Sequence, residues 1–136
     1  MENIFVEEIE KVLAKLPVIS KTVFANILPS VILVKICNYY NISFETIRNK
    51  SKKRCVAEPR QVCAYFLKKY TKKIKVHHNG EEETTSITLQ DIATILNKKN
   101  HATIIHSIKT IENLLESQRG FKTKITEIEN SIKENE

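Results

Sequence analysis

The chain has 136 residues, enough for one modest domain with an apolar core and a short appendage but not for two large domains. Its formal net charge of +6 and isoelectric point near 9.2 favour an anionic partner, which could be nucleic acid, an acidic membrane surface or an acidic protein. The three cysteines show no repeated close spacing, so they indicate neither a disulfide framework nor a zinc knuckle. The sequence has no basic signal sequence and no long apolar run, which predicts a cytoplasmic protein with reduced thiols.

The N-terminal part is predicted to be helical. Over residues 1–16 the apolar residues recur at three- and four-residue steps, which indicates an amphipathic helix. Its apolar positions are Ile4, Phe5, Val6, Ile9, Val12, Leu13 and Leu16. A short second helix is predicted over residues 20–28, with Ser20 as its cap, because Pro29 would stop it. We interpret residues 1–29 as a helical extension, preceding a domain that we assign to residues 30–136.

The domain begins with a third helix. Ser30 opens the apolar run VILVKICNYY, which can bury one side of a helix that ends at Asn41. Ser43 then fits the cap of a short helical turn around Phe44 and Ile47.

Positive charge is concentrated in residues 48–75, which hold eleven basic residues and a single acidic one, Glu58. This segment carries +10, so the remainder carries −4. Such a distribution can present a basic face to phosphates and favours nucleic acid as the partner. The open alternative is a solvated lysine face without a specific partner.

The segment starts as an exposed basic loop, NKSKKR, and continues as a helix in which Pro59 is predicted in the first turn. Cys63 is interpreted as a small apolar core residue on this helix. Residues 71–86 then break the helical pattern and predict a long loop or a small hairpin around Asn79 and Gly80.

His77 and His78, in that insertion, raise the question of a metal site. Adjacent histidines point in different directions, and no other ligands stand at metal spacing nearby. We therefore expect neither a metal nor another cofactor, and the chain shows no acid, base or nucleophile constellation that would predict an enzyme.

A helix-turn-helix is predicted next. Thr88 caps a helix with Asp91 in its first turn, residues 97–99 form a turn, and Asn100 caps a long helix that Gly120 is expected to end. A final amphipathic helix follows, with apolar Phe121, Ile125, Ile128 and Ile132 on one side. The predicted fold is therefore all-α, a helical bundle containing a helix-turn-helix. This form alone is weakly specific for DNA, because many bundles contain such pairs.

Three stretches of the sequence are more specific than the helix-turn-helix form. ICNYYNISFETI, KKRCVAEPRQVCAYFLKKYT and DIATILNKKNHATIIHSIKTI occur in this order within residues 31–132. Together this part of the chain resembles the C-terminal DNA-binding domain, domain IV, of the bacterial replication initiator DnaA. The proline-arginine-glutamine run and the histidine-x-threonine element at family-like separation are more specific together than either is alone.

The resemblance implies that the start of the long helix enters the major groove of DNA. His101 and Thr103 match family residues that meet base edges and thymine methyls, whereas Ala102 replaces a threonine and cannot donate a hydrogen bond. Lys99 and Asn100 stand where the family has arginine and aspartate, so the preferred DNA sequence is expected to have drifted. The alternatives are an ordinary helix-start role for His101 and a local cap for Thr103.

A second set of contacts is implied on the minor groove and the DNA backbone. Lys52 matches a minor-groove arginine of the family, and Arg60 with Gln61 matches a backbone-contacting pair. The neighbouring Lys53 and Arg54 extend the basic surface.

Two alternatives to these roles stay open. Lys52, on a loop expected to be flexible, could make only a nonspecific phosphate contact. Arg60 could instead form a surface ion pair with Glu58 or Glu45.

The resemblance thus predicts a double-stranded DNA-binding protein that recognises a DnaA-box-like or diverged site. Three departures stand out: the insertion over residues 71–86, Asn97 and Lys98 in place of the family's glycine pair in the turn, and the absence of a glycine-rich phosphate loop for an ATPase. We therefore expect a DNA reader without a motor, such as a regulator or replication accessory of a phage or mobile element. The alternative is a protein-interaction module that keeps the fold and binds a host or replication protein, or itself, through the N-terminal helix.

Overall fold

The computed structural model describes residues 5–20 and 22–134, so the predicted apolar position Ile4 lies outside the described residues. Within that part, the helices are α1 (Val6–Ala14), α2 (Pro17–Ser20), α3 (Pro29–Tyr40), α4 (Phe44–Ile47), α5 (Arg54–Tyr70), α6 (Leu89–Ile95), α7 (His101–Ser117) and α8 (Arg119–Lys133). The strands are β1 (Val23–Asn26), β2 (Thr71–Val76) and β3 (Glu82–Ser86). None of these helices has the length and apolar character needed to cross a bilayer.

The core is centred on α3 and α5, which pack against each other. Helices α1 and α8 lie against α3, and α7 lies against α5, so the two central helices are covered on several sides. The largest fully buried side chains include Phe44, Phe66, Ile32, Leu33, Leu67 and Ile92. Ile9 and Leu13 of α1 belong to the same core, so the extension contributes to the domain's packing.

The all-α prediction needs correction, because the mostly helical fold includes a three-stranded antiparallel sheet in the order β1-β2-β3. The helix predicted over residues 20–28 is wrong: Val23–Asn26 is a strand, paired with β2 at Val23↔Ile74 and Asn26↔Thr71. Its apolar residues are too few to distinguish a strand from a helix by period, and the pairing partner is distant in the chain. The predicted hairpin at residues 71–86 is confirmed as β2 and β3.

Helix boundaries follow local capping chemistry. The predicted caps Ser43, Thr88 and Asn100 are confirmed, each with a side-chain oxygen that accepts a hydrogen bond from a backbone N–H of the first turn. Asn41, in the left-handed conformation at φ 53°, follows α3 as predicted.

Three boundary predictions were wrong. Pro29 begins α3 at its first turn, where its missing N–H costs nothing. Pro59 lies inside α5, which already begins at Arg54, rather than in the first turn. Gly120 lies within α8, because the chain leaves α7 at the extended residue Gln118.

Two carboxylates, the buried Glu58 and the half-buried Glu129, fix α8 to the central helices. Glu58 of α5 accepts hydrogen bonds from the Tyr40 hydroxyl at 2.8 Å and from Lys124 Nζ of α8 at 2.8 Å. Burial alone would raise the pKa of Glu58, but these donors outweigh it and hold the pKa below its ordinary value. Glu129 of α8 accepts from Lys69 Nζ at 2.7 Å and from the Tyr70 hydroxyl, and its pKa is lowered in the same way.

Cys37 and Cys63 are fully buried, which confirms the core role predicted for Cys63. Burial raises the pKa of Cys37 to about 12 and raises that of Cys63 as well. Both thiols therefore stay protonated at neutral pH and act as apolar side chains.

Candidate nucleic-acid interface

The N-terminus of α7 is an exposed polar surface. Lys99, Asn100, His101, Ala102 and Thr103 are all exposed, whereas the next residue of the helix is buried in the core. The Asn100 side-chain oxygen accepts from the backbone N–H of Ala102 at 3.0 Å and of Thr103 at 3.4 Å. Asn100 thus caps the helix with its oxygen, and its amide N–H₂ is the group left to face a ligand.

The turn between α6 and α7 keeps a tight geometry without glycine. Asn97 is left-handed at φ 61°, its N–H donates to the Thr94 carbonyl at 3.2 Å, and the Lys98 N–H donates to the Ala93 carbonyl at 2.7 Å. This pair of bonds is the helix C-terminal motif that normally uses glycine, and asparagine is the residue that tolerates the conformation next best.

The segment after α4 is tied to this turn by side chains. Arg48 Nε donates to the Ile95 carbonyl at the end of α6 at 3.0 Å. In return, Asn97 Nδ2 donates to the Arg48 carbonyl at 3.3 Å, and Lys98 Nζ to the Asn49 carbonyl at 3.4 Å. The beginning of the basic loop therefore has a fixed position relative to the helix-turn-helix.

Arg60 fixes the same loop from the other side. It is 8% exposed, and its Nε, Nη1 and Nη2 atoms donate to the carbonyls of Ile47 at 2.6 Å, Ser51 at 3.0 Å and Asn49 at 2.8 Å. Among the described residues Arg60 forms no ion pair with Glu58 or Glu45, contrary to the alternative left open by the sequence, and its contact with the DNA backbone stays a prediction. The guanidinium holds the loop instead of standing on the surface, and Glu58 pairs with other cations.

The remaining basic residues of the loop are available to solvent. Lys52, Lys53 and Arg54 are exposed, and Arg54 Nε forms a 3.4 Å ion pair with Glu58. Gln61 is half-buried on the first half of α5. Since Arg48 and Arg60 hold the loop backbone, Lys52 projects from a fixed base, contrary to the expectation of a flexible loop.

An open cleft of about 440 Å³ separates the basic loop from α7. The residues that line this cleft include Lys52, expected on the minor groove, Gln61, expected on the DNA backbone, and Thr103, expected in the major groove. Arg60 forms part of the cleft wall. The complete lining is Lys50, Ser51, Lys52, Ala57, Arg60, Gln61, Lys98, Thr103, His106 and Ser107. Burial and the nearby positive charge of Arg60 lower the pKa of Lys98, a sign of how closely cations gather here.

His106 and Lys98 are members of this cleft that sequence reasoning missed. His106 lies three residues after Thr103 and therefore shares that residue's face of the helix. The spacing from Thr103 was the signal that could have identified it.

No group of three metal-ligating side chains occurs within residues 5–20 and 22–134. His77 Nε2 lies 2.9 Å from Glu83 Oε2 across the hairpin, and both side chains are exposed.

Comparison with known proteins shows that part of this chain is similar to a known family. Residues 29–82 match the family model described as Bacterial dnaA protein helix-turn-helix; this span covers α3, α4, α5 and β2 and ends before α6 and α7.

Relatives match over longer stretches. The chromosomal replication initiator protein DnaA of Bacteroides thetaiotaomicron is 29% identical over 102 residues, which are 75% of this chain and 19% of that protein. DnaA of Rickettsia bellii is 33% identical over 91 residues, 67% of this chain and 17% of that protein, and DnaA of Wolbachia pipientis is 28% identical over 99 residues, 73% and 18%. The chain thus spans under a fifth of the length of these relatives, and the predicted resemblance is confirmed. This chain is thus similar to the bacterial DnaA helix-turn-helix family over residues 29–82, and to DnaA proteins over longer stretches.

Proposed function

We propose that this chain binds double-stranded DNA, with the N-terminus of α7 in the major groove and the basic loop on the minor groove and adjoining backbone. The observation that carries the proposal is the cleft that joins Lys52 and Gln61 to Thr103 on one surface, in a chain whose residues 29–82 match the DnaA helix-turn-helix family.

The chemistry of the surface suits DNA. Lysine side chains on the loop and the turn would neutralise phosphates and release their counterions. At the start of α7, the His101 ring, the Ala102 methyl and the Thr103 hydroxyl offer the short polar and apolar groups that read base edges and thymine methyls. Lys99 and the Asn100 amide would add donors beside them.

The fixed geometry supports simultaneous contact with both grooves. Arg48, Asn97 and Lys98 link the loop to the turn through hydrogen bonds, and Arg60 links it to α5. A preorganised surface loses less conformational entropy on binding than two independent segments would.

The test is a fluorescence-anisotropy titration of the full chain with duplexes that carry DnaA-type boxes, scrambled duplexes as controls, and several salt concentrations. Thr103→Ala and His101→Ala should each weaken binding to the preferred duplex by about 1–3 kcal/mol and relax the sequence preference. Lys52→Ala should weaken binding to all duplexes and reduce the salt slope by about 1. Lys122→Ala, an exposed lysine of α8, is the matched control and should bind like the parent.

Equal, weak binding to every duplex, even at low salt, would exclude sequence recognition. Stoichiometric capture of a protein that survives nuclease treatment and high salt would instead favour the interaction module. Substitutions at Lys99, Asn100 and Ala102, where bases would be read, are what motivate that second reading. A role as a regulator or replication accessory of a phage or mobile element stays a prediction.

A further inference from the structure

The N-terminal extension and the hairpin at residues 71–86 meet in one sheet. Strand β1 comes from the N-terminal extension, and β2 and β3 form the insertion at residues 71–86. Their antiparallel pairing places a segment that precedes the domain against a segment inserted into it. The proposed DNA interface uses neither segment, so the sheet needs an explanation of its own.

One face of this sheet packs on the protein. Phe24 contacts the core, Thr71 is fully buried, and Lys73 Nζ forms a 2.9 Å ion pair with Asp91 of α6. Because side chains alternate along a strand, and directly paired residues point to the same side, the intervening residues form the opposite face.

We call this opposite face the outer sheet face. It consists of Val23, Ala25, Lys72, Ile74, Val76, Glu82, Thr84 and Ser86. Val23 is 63% exposed and Val76 is 64% exposed, and Ile74, which pairs with Val23, is half-buried. Exposed β-branched residues side by side on a sheet form an apolar patch, which is typical of a surface that another protein covers.

The charges of this face are arranged at opposite ends. Lys72 lies in the row of Ser86, and Glu82 lies in the row of Val76, with the apolar row of Val23 and Ile74 between them. Lys72 Nζ contacts only the Ser86 hydroxyl, at 3.3 Å, and neither charge forms an ion pair within the described part of the chain.

This arrangement is complementary to itself. A two-fold axis along the middle row would set Val23 and Ile74 against their own copies and bring Lys72 of each copy to the end of the other that carries Glu82. Two-fold interfaces require such a self-complementary patch.

We propose that the outer sheet face binds a second copy of this chain, forming a two-fold dimer through the sheet. The face spans about 10 Å across the strands and about 13 Å along them, smaller than the roughly 800 Å² per partner of a stable interface. The dimer is therefore weak and exchanges rapidly. This proposal does not depend on DNA binding.

Sedimentation equilibrium of the full chain over a wide concentration range tests it. The parent should show a monomer–dimer equilibrium, and Lys72→Glu or Glu82→Lys should each raise its dissociation constant by at least about tenfold, because each turns two attractions per dimer into repulsions. The double variant carrying both changes should return to near the parent value. Lys122→Glu, with the same charge change on α8, should have no effect.

Val23→Asp should also abolish association, since it sets two carboxylates against each other at the axis. Circular dichroism checks that each variant is folded, and anisotropy on a single-site duplex should be unchanged in all of them. A parent that stays monomeric at every concentration, or a double variant as weak as the single ones, would overturn the proposal. Loss of DNA binding with association intact would instead contradict only the proposed function.

Discussion

Replacing Arg60 distinguishes a role in stabilising the fold from a role in contacting DNA. The resemblance to DnaA assigns this residue to the DNA backbone, whereas the structure buries its guanidinium behind the loop that carries Lys52. We expect Arg60→Ala to destabilise the fold, and Arg60→Lys to recover only part of the loss, because one ammonium cannot reach carbonyls spread over residues 47–51.

The magnitude follows from the three acceptors. Ile47 is fully buried, so its orphaned carbonyl costs about 1–3 kcal/mol. Asn49 is exposed and Ser51 half-buried, so their carbonyls regain water, and the two bonds together contribute about 1 kcal/mol. The expected loss for Arg60→Ala is therefore about 2–4 kcal/mol, and about 1–2 kcal/mol for Arg60→Lys.

Urea unfolding followed by circular dichroism measures this directly, with Lys122→Ala as the control. Under native conditions the salt slope of DNA binding should stay within about 0.3 of the parent if no phosphate contact is lost. A variant with parental stability, but a salt slope reduced by about one contact, would refute the structural assignment and restore the backbone role.

Further predictions concern the turn and the buried acids. Asn97→Ala should destabilise the fold by about 1 kcal/mol, because alanine tolerates φ 61° poorly. Asn97→Gly should stay within about 0.5 kcal/mol of the parent, since glycine recovers the backbone conformation while losing the bond to Arg48; thermal unfolding distinguishes the two, and equal losses would contradict the argument. Because the pKa of Glu58 is lowered in the folded state, its contribution is fully present above the ordinary value of 4.5 and disappears as the pH falls through the lowered pKa. Glu58→Gln should therefore lower the free energy of unfolding at pH 7 and reduce its loss between pH 7 and pH 2. Urea titrations over this pH range would measure both effects. An unchanged loss of stability at acid pH would show that Lys124 and Tyr40 do not stabilise the carboxylate.

Much of the helical fold was predictable because its signals are local. Ser43, Thr88 and Asn100 each precede an apolar periodic segment, and a capping oxygen acts within three residues of its own position. The hairpin was likewise indicated by the asparagine and glycine at its tip. Gly80 adopts φ 87° there, which only glycine takes without strain.

The strand β1 was not predictable from the same kind of signal. Residues 23–26 become a strand because Val23 and Asn26 find partners in β2, and Asn26 Nδ2 donates to the Tyr70 carbonyl at 2.7 Å. Such pairing joins segments more than forty residues apart, so the four residues of the strand alone do not predict it.

The candidate site also has a part that could be predicted from the sequence and a part that could not. The exposed start of α7 could be located from its cap and from the resemblance. The role of Arg60 could not, because its acceptors are backbone carbonyls, and every residue offers one of those. His106 was missed although it lies three residues after Thr103, a spacing that places both on one face of α7.

The two arginines behind the loop determine how the contacts on the two grooves are related. Arg48 and Arg60 set the position of Lys52 relative to Thr103, yet the hydrogen bonds that do so join one part of the protein to another. Asn97 preserves the turn despite the loss of the family's glycine and adds its own bond to the Arg48 carbonyl. Substitution at the proposed base-reading positions has therefore left the framework that holds them intact, which favours a changed target sequence over a lost interface.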